Sequence, residues 1–123
     1  MAVILIVDDE FFIREFTVST VEEFGHDTLS ASSVDEAMFH LRSPQRIDAL
    51  ITDIRLKTAI LGGYELAREA IKLRPHLGVI YVTGNSITDK ARELFVQGAY
   101  FLQKPYSPDQ LQDSLEKALS AQL

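Results

Sequence analysis

The chain has no cysteine, which excludes disulfide staples, thiolate catalysis and Cys-ligated metal, and leaves the redox compartment open. It is also short of basic residues. Lys and Arg total 12 against 18 Asp and Glu, for a formal net charge of −6. Such a balance gives no general attraction to nucleic acid phosphates or anionic lipid, so neither direct nucleic acid binding nor membrane association is expected. A cationic patch on a partner, or a metal ion, is the natural counterpart. Long apolar runs are missing as well: the opening MAVILIV is brief, has no basic residue before it and runs into acids. It reads neither as a secretion signal nor as a membrane span. A cytoplasmic protein is the expectation. The chain shows no internal repeat, low-complexity tract or interdomain linker, and 123 residues at 46% hydrophobic content suit one domain, residues 1–123, around a single core.

What the sequence does have is alternation. Apolar runs of strand length occur at Val3 to Val7, more weakly at Asp27 to Ala31, then at Ala49 to Thr52, Val79 to Val82 and Tyr100 to Leu102. Segments with helical spacing lie between them. The first, about Phe11 to Phe24, presents Phe12, Phe16 and Val21 before Gly25; its phenylalanines, Phe11 included, read mostly as core packing. The second opens with Ser33 and Glu36 three residues on, a capping box. The third follows Gly62-Gly63 and must end before Pro75. The fourth spans about Thr88 to Val96, bounded by Gly98. The fifth begins Ser107-Pro108-Asp109-Gln110, with a cap, proline at the first helical position and glutamine three residues past the cap. Strands alternating with helices five times predict an α/β, doubly wound, five-stranded parallel sheet covered by helices on both faces.

In such sheets ligands bind outside the carboxyl ends of the strands. Asp8 and Asp9 follow the first run, Asp53 ends the third, Thr83 closes the fourth, and Lys104 follows the fifth. Acids, a hydroxyl and an amine are thus expected on one rim. Carboxylates crowded together repel unless a cation joins them. Oxygen-only ligands suit Mg²⁺, which binds through a few carboxylates and a substrate phosphate. A metal-bound carboxylate facing a lysine and a hydroxyl reads as a phosphoryl site with an aspartate nucleophile.

The constellation Asp8-Asp9, Asp53, Thr83 and Lys104-Pro105 resembles the receiver domain of bacterial response regulators, over essentially the whole chain. The resemblance implies the flavodoxin-like strand order 2-1-3-4-5. It implies a signalling switch in a two-component phosphorelay, with Asp53 accepting a phosphoryl group from a sensor histidine kinase or histidine phosphotransferase. Asp8, Asp9, Asp53 and the backbone carbonyl of Arg55 match the Mg²⁺ ligands, Thr83 the switch hydroxyl, and Lys104 the amine that pairs with phosphate. Pro105 matches a proline usually preceded by a cis peptide bond. Phe101 holds the aromatic switch position, whose ring is expected to alter the face of helix four, strand five and helix five for a downstream protein target. Such a protein is an enzyme only loosely, since it catalyses its own phosphorylation and slow dephosphorylation. Two departures stand out: Gly63 stands ten positions after Asp53 in DIRLKTAILGG, longer than the family's usual loop, with Lys57 where proline is common; and Gly84 follows Thr83 where alanine is commoner. The longer loop is expected to be more mobile or to carry an unusual partner contact. Arg55 and Asn85 match positions that tune hydrolysis of the acyl phosphate.

Plainer readings stand beside these. Glu10 alone is a helix N-terminal charge; Lys104 alone is a surface lysine; Phe101 alone is core. His26, His40 and His76 are scattered and read as surface or boundary residues. A small phosphatase of the haloacid dehalogenase type is the alternative function, with Asp8 and Glu10 imitating its paired acids. A flavodoxin-like FMN carrier ranks behind it, because acids occupy the place where phosphate needs N–H donors.

Overall fold

The computed structural model describes residues 1–56, 62–85 and 87–120, so Lys57 and most of the expected long loop lie outside the described residues. Strands β1 (Val3–Val7), β2 (Asp27–Ala31), β3 (Ala49–Asp53), β4 (Gly78–Thr83) and β5 (Tyr100–Gln103) alternate with five helices: α1 (Phe11–Glu23), α2 (Val34–Arg42), α3 (Gly62–Leu73), α4 (Asp89–Arg92) and α5 (Pro108–Ser120). The strands form one parallel sheet in the order β2-β1-β3-β4-β5. Its register sets Val7 beside Ala31 and Thr52, Asp53 beside Val82, and Thr83 beside Gln103. The carboxyl ends of β1, β3, β4 and β5 therefore share one edge.

The period of two along each strand divides the core into two layers. Leu5, Val7, Leu50, Val79 and Tyr81 pack with Ala37 and Leu41 of α2 and Leu66, Ala67 and Ala70 of α3. Ile4, Ile6, Ile51, Ile80 and Val82 face the other way, onto Val21 of α1 and Leu111, Leu115 and Ala118 of α5. With both faces covered, β3 and β4 are buried at every position, so they read in sequence as unbroken apolar runs.

Local chemistry sets most helix starts. At α5 the capping box is reciprocal: Gln110 N–H donates to Ser107 Oγ at 3.1 Å and Ser107 N–H donates to Gln110 Oε1 at 2.9 Å. At α2 it is displaced by one residue. Glu36 N–H donates to Ser33 Oγ at 3.2 Å, but the Glu36 carboxylate accepts from the N–H and hydroxyl of Ser32, at 2.7 and 3.0 Å.

The structure corrects two expectations. The phenylalanines of α1 are not core: Phe11, Phe12 and Phe16 are 57%, 85% and 44% exposed. Thr17, Thr20 and Val21 form the buried stripe instead. Threonine can sit there because each hydroxyl is satisfied within the helix, Thr17 donating to Ile13 O at 2.9 Å and Thr20 to Phe16 O at 2.7 Å. Second, α4 does not reach Val96. It buries no side chain of its own, and after Arg92 the chain tightens into turns in which Leu94 N–H donates to Ala91 O and Phe95 N–H to Arg92 O. Val96 N–H then leaves for the hydroxyl of buried Tyr81, 3.1 Å away, and Gly98 takes φ +79° to enter β5.

Candidate functional site

The carboxyl end of β1 is held by backbone pairing. Asp8 N–H donates to Ala31 O at 3.1 Å, which keeps the residue beside β2, and Asp8 Oδ1 accepts the N–H of Glu10 at 2.8 Å. Asp8 is thereby 4% exposed, whereas Asp9 is half-buried and Glu10 exposed. Asp53 ends β3 and is 7% exposed. Directly behind it Ile54 N–H donates to Val82 O and Gly63 N–H to Ile54 O, both at 2.9 Å. This crossing demands glycine at 63, since an added Cβ would run into the carbonyl oxygen of Asp53 and lie 2.7 Å from the Cα of Ile54. From β4, Thr83 is 7% exposed, and its carbonyl accepts the N–H of Lys104 at 2.8 Å. That bond fixes the root of the lysine, and the peptide bond from Lys104 to Pro105 is cis.

The lysine reaches back across the sheet edge. Its Nζ lies 3.1 Å from Asp8 Oδ2, 3.1 Å from Asp53 Oδ2 and 3.2 Å from Glu10 Oε1. An ammonium has three N–H donors, and these carboxylates supply three acceptors. The side chain of Lys104 is 11% exposed, so the two deep contacts act in a poorly screened setting, while the one to Glu10, 60% exposed, is screened by water. Asp53, Thr83, Arg55, Asp9, Glu10 and Lys104 line one cavity of about 310 Å³ with Gly84 and Asn85. Among the described residues, its chain neighbours aside, nothing lies within 4 Å of where a Cβ on Gly84 would stand, so those residues leave that side of the cavity open. Asn85 N–H donates to Thr83 Oγ1 at 3.2 Å.

The electrostatics follow from this crowding. Burial raises the carboxyl of Asp53, the Lys104 ammonium opposes it and Asp8 and Asp9 add to it, for a net value of about 6. Burial also lifts Asp8 above its ordinary value, against the Glu10 N–H and Lys104. Burial works against the charge on Lys104, but Asp53 and Asp8 outweigh it and hold its pKa above the usual lysine value. One amine thus faces more negative charge than it can neutralise. Asp8, Asp9, Glu10 and Asp53 each offer an oxygen, and these oxygens all lie within 4.8 Å of one another. Ligands on opposite sides of an octahedral Mg²⁺ are about 4.2 Å apart. The donor set, all oxygen and excess in charge, fits a hard divalent ion with small adjustments.

The expected residues fall into two groups. Asp8, Asp9, Asp53, Thr83 and Lys104 converge, and Arg55 lines the same cavity with its side chain exposed. Phe101 and Pro105 do not line it. Phe101 is half-buried on β5, with its ring centroid 6.4 Å from that of Phe95. Pro105 is exposed and lines an adjoining apolar cavity of about 440 Å³ with Ile13, Phe16, Tyr106 and Lys104, which borders both. The histidines sit at half-buried or exposed positions: His26 Nδ1 accepts the N–H of Ala2 at 3.1 Å, His40 is half-buried and His76 exposed. Sequence reasoning missed the contact of Glu10 with Lys104, since an acid opening a helix has a sufficient local explanation. It also missed Arg14, whose Nη1 donates to the carbonyl of Asp8 at 2.8 Å. The buried hydroxyl pair of Thr17 and Tyr106, 2.5 Å apart, gave no pattern to find.

Comparison with known proteins identifies the family and the fold. The family model for the response regulator receiver domain matches residues 4–116. The chain is 31% identical over 117 residues to the nitrogen assimilation regulatory protein NtrX of Azorhizobium caulinodans, covering 94% of this chain and 26% of that protein. To the C4-dicarboxylate transport transcriptional regulatory protein DctD of Rhizobium meliloti it is 32% identical, covering 94% of this chain and 25% of that protein. The chain thus spans about a quarter of the length of these curated relatives. Among solved structures, a response regulator receiver domain protein from Clostridium thermocellum superposes with a TM-score of 0.85 at 32% identity, over 98% of this chain and 95% of that one. A response regulator receiver protein from Sinorhizobium medicae gives 0.91 at 28% identity, over 99% and 97%. The phosphatase reading finds no support in any of these matches. With the family model spanning nearly the whole sequence and relatives above 30% identity, the chain belongs to the response regulator receiver domain family, the phosphoacceptor switches of two-component signalling.

Proposed function

We propose that Asp53 is the phosphoacceptor and that the edge around it forms the catalytic and switching machinery. An Asp53 oxygen attacks the phosphorus of a phosphohistidine on a sensor histidine kinase or histidine phosphotransferase; the P–N bond breaks and its electron pair returns to the imidazole. The product is an aspartyl phosphate. Asp8, Asp9 and Asp53, with the backbone carbonyl of Arg55, would hold Mg²⁺, which when bound neutralises charge on the phosphoryl oxygens. Lys104 pairs with one phosphoryl oxygen and the Thr83 hydroxyl donates to another. As Thr83 moves, Phe101 turns inward and reshapes the face of α4, β5 and α5 for a downstream protein target. Pro105 fixes the direction in which the chain leaves Lys104. The exposed guanidinium of Arg55 reaches the phosphoryl group and, with Asn85, sets how fast it hydrolyses. This domain works in the cytoplasm and turns over its own phosphoryl group, with no direct nucleic acid or membrane contact of its own. Among the described residues no helix is long and apolar enough to cross a membrane.

The observation that carries this reading is the Lys104 ammonium, 3.1 Å from both Asp8 and Asp53 in a site that Thr83 also lines. Docking has support as well. Phe11, Phe12 and Phe16 on α1 are exposed, and the apolar cavity of Ile13, Phe16, Pro105 and Tyr106 adjoins Lys104; together they offer a greasy seat for the histidine-bearing helices of a phosphodonor. Incubation with acetyl phosphate and Mg²⁺, followed by intact mass measurement, tests the assignment. One phosphoryl group is expected on the wild type and none on Asp53→Asn; modification persisting in the variant would place the acceptor elsewhere.

A further inference from the structure

We infer that Arg14 is a positioning residue for the acidic pair, clamping the peptide unit from which Asp9 departs. This rests on the reading of Asp8 and Asp9 as holding a divalent cation. The carbonyl of Asp8 belongs to the planar unit that joins it to Asp9. Turning that plane rotates the direction in which the Asp9 side chain leaves the backbone, and so where its carboxylate lands.

Among the described residues, the bonds at the turn include three that fix different parts of it. Asp8 N–H is fixed to Ala31 O at 3.1 Å, and Asp8 Oδ1 accepts Glu10 N–H at 2.8 Å. Neither of these holds the peptide unit that carries Asp9. Arg14 does, through Nη1 to Asp8 O at 2.8 Å. The arginine is itself well anchored. Its backbone N–H makes a first-turn bond of α1, to Glu10 O at 2.9 Å, and its guanidinium carbon lies 5.6 Å from the ring centroid of Phe11, within cation–π range. Its side chain is half-buried, so the charge-assisted bond is partly shielded from competing water. A cation placed near an acidic site would ordinarily weaken metal binding by repulsion. The clamp predicts the opposite sign, and that makes the two roles separable.

The experiment compares wild type, Arg14→Met and Arg14→Lys as full chains. Methionine keeps an unbranched stem against Phe11 and a good helix propensity but has no donor; lysine restores a charged donor without the planar fork. Mg²⁺ titration by calorimetry reads affinity. Amide hydrogen exchange at Asp9 and Glu10 in metal-free protein reads the turn. Arg14→Met is expected to weaken Mg²⁺ by about tenfold, as loss of a hydrogen bond supporting a metal ligand commonly does, and to speed exchange at both amides. Arg14→Lys is expected to recover most of each. Affinity unchanged or tighter in Arg14→Met, or exchange at Asp9 and Glu10 unaltered, overturns the clamp. Wild type that binds no Mg²⁺ overturns the metal reading as well, and the wild-type titration tells that failure from failure of the clamp alone.

Discussion

At the scale of single residues the site is one of opposed demands on Asp53. Its carboxyl is raised to about 6 by burial and by neighbouring acids, even though Lys104 lies 3.1 Å away. Because the folded pKa lies above the unfolded 3.8, the folded state takes up a proton more readily between pH 4 and 6. The contribution of Asp53 to stability therefore falls as pH rises through that window, and its ionised carboxylate remains a cost above it. Asp53→Asn keeps the shape and removes the charge, while Lys104 keeps Asp8 and Glu10 as partners. Urea denaturation of metal-free protein at pH 8 is expected to show the variant more stable than wild type by about 2 kcal/mol, with the gain shrinking toward pH 4. A variant less stable at pH 8 would mean that attraction to Lys104 outweighs burial and repulsion. The identity of Asp53 was legible because an acid ending an apolar run is rare without a reason. That crowded acids would raise one another's pKa was legible too; that burial does most of it, against Lys104, was not, since burial is set by the packed sheet edge.

At the scale of elements, α1 separates pattern from packing. Its phenylalanines recur at helical spacing, which reads as a core face, yet the helix buries Thr17, Thr20 and Val21. Spacing establishes that a stripe exists; which stripe turns inward depends on what the sheet offers. Here a tyrosine of the neighbouring segment, Tyr106, presents a hydroxyl that Thr17 meets. Phe12, 85% exposed and set edge-on to the exposed ring of Phe11 at 5.4 Å, consequently has little packing to lose. Phe12→Ser is expected to leave unfolding free energy within about 0.5 kcal/mol of wild type. Phosphorylation by acetyl phosphate should be unchanged, while transfer from a cognate phosphohistidine protein should slow. Equal transfer rates from that protein would remove α1 from the docking surface. The ends of α2 and α5 were readable because a cap is a contact over three residues; the early end of α4 was not, because Val96 N–H is taken by Tyr81, 15 positions earlier.

At the scale of the whole molecule, the cation site joins segments far apart in the chain and so couples ligand to fold. An ion that binds only the folded state stabilises it by mass action, by about 2.7 kcal/mol at 100 times its dissociation constant. The melting temperature is expected to climb with Mg²⁺ in wild type and to respond weakly in Asp9→Ala; equal shifts in the two would place the ion elsewhere. The sequence by itself determined the alternating architecture, nearly all strand positions and the rim on which the acids, Thr83 and Lys104 appear. Those features follow from side-chain period, caps and strand ends, all of which act over a few residues. Only the tertiary structure decided that Lys104 lands between Asp8 and Asp53, that Glu10, 94 positions away, shares it, that Arg14 holds the Asp8 carbonyl and that the phenylalanines of α1 face out. These are choices between partners separated by whole elements, and no local pattern ranks them, because their energies exist only once the sheet has set the distances.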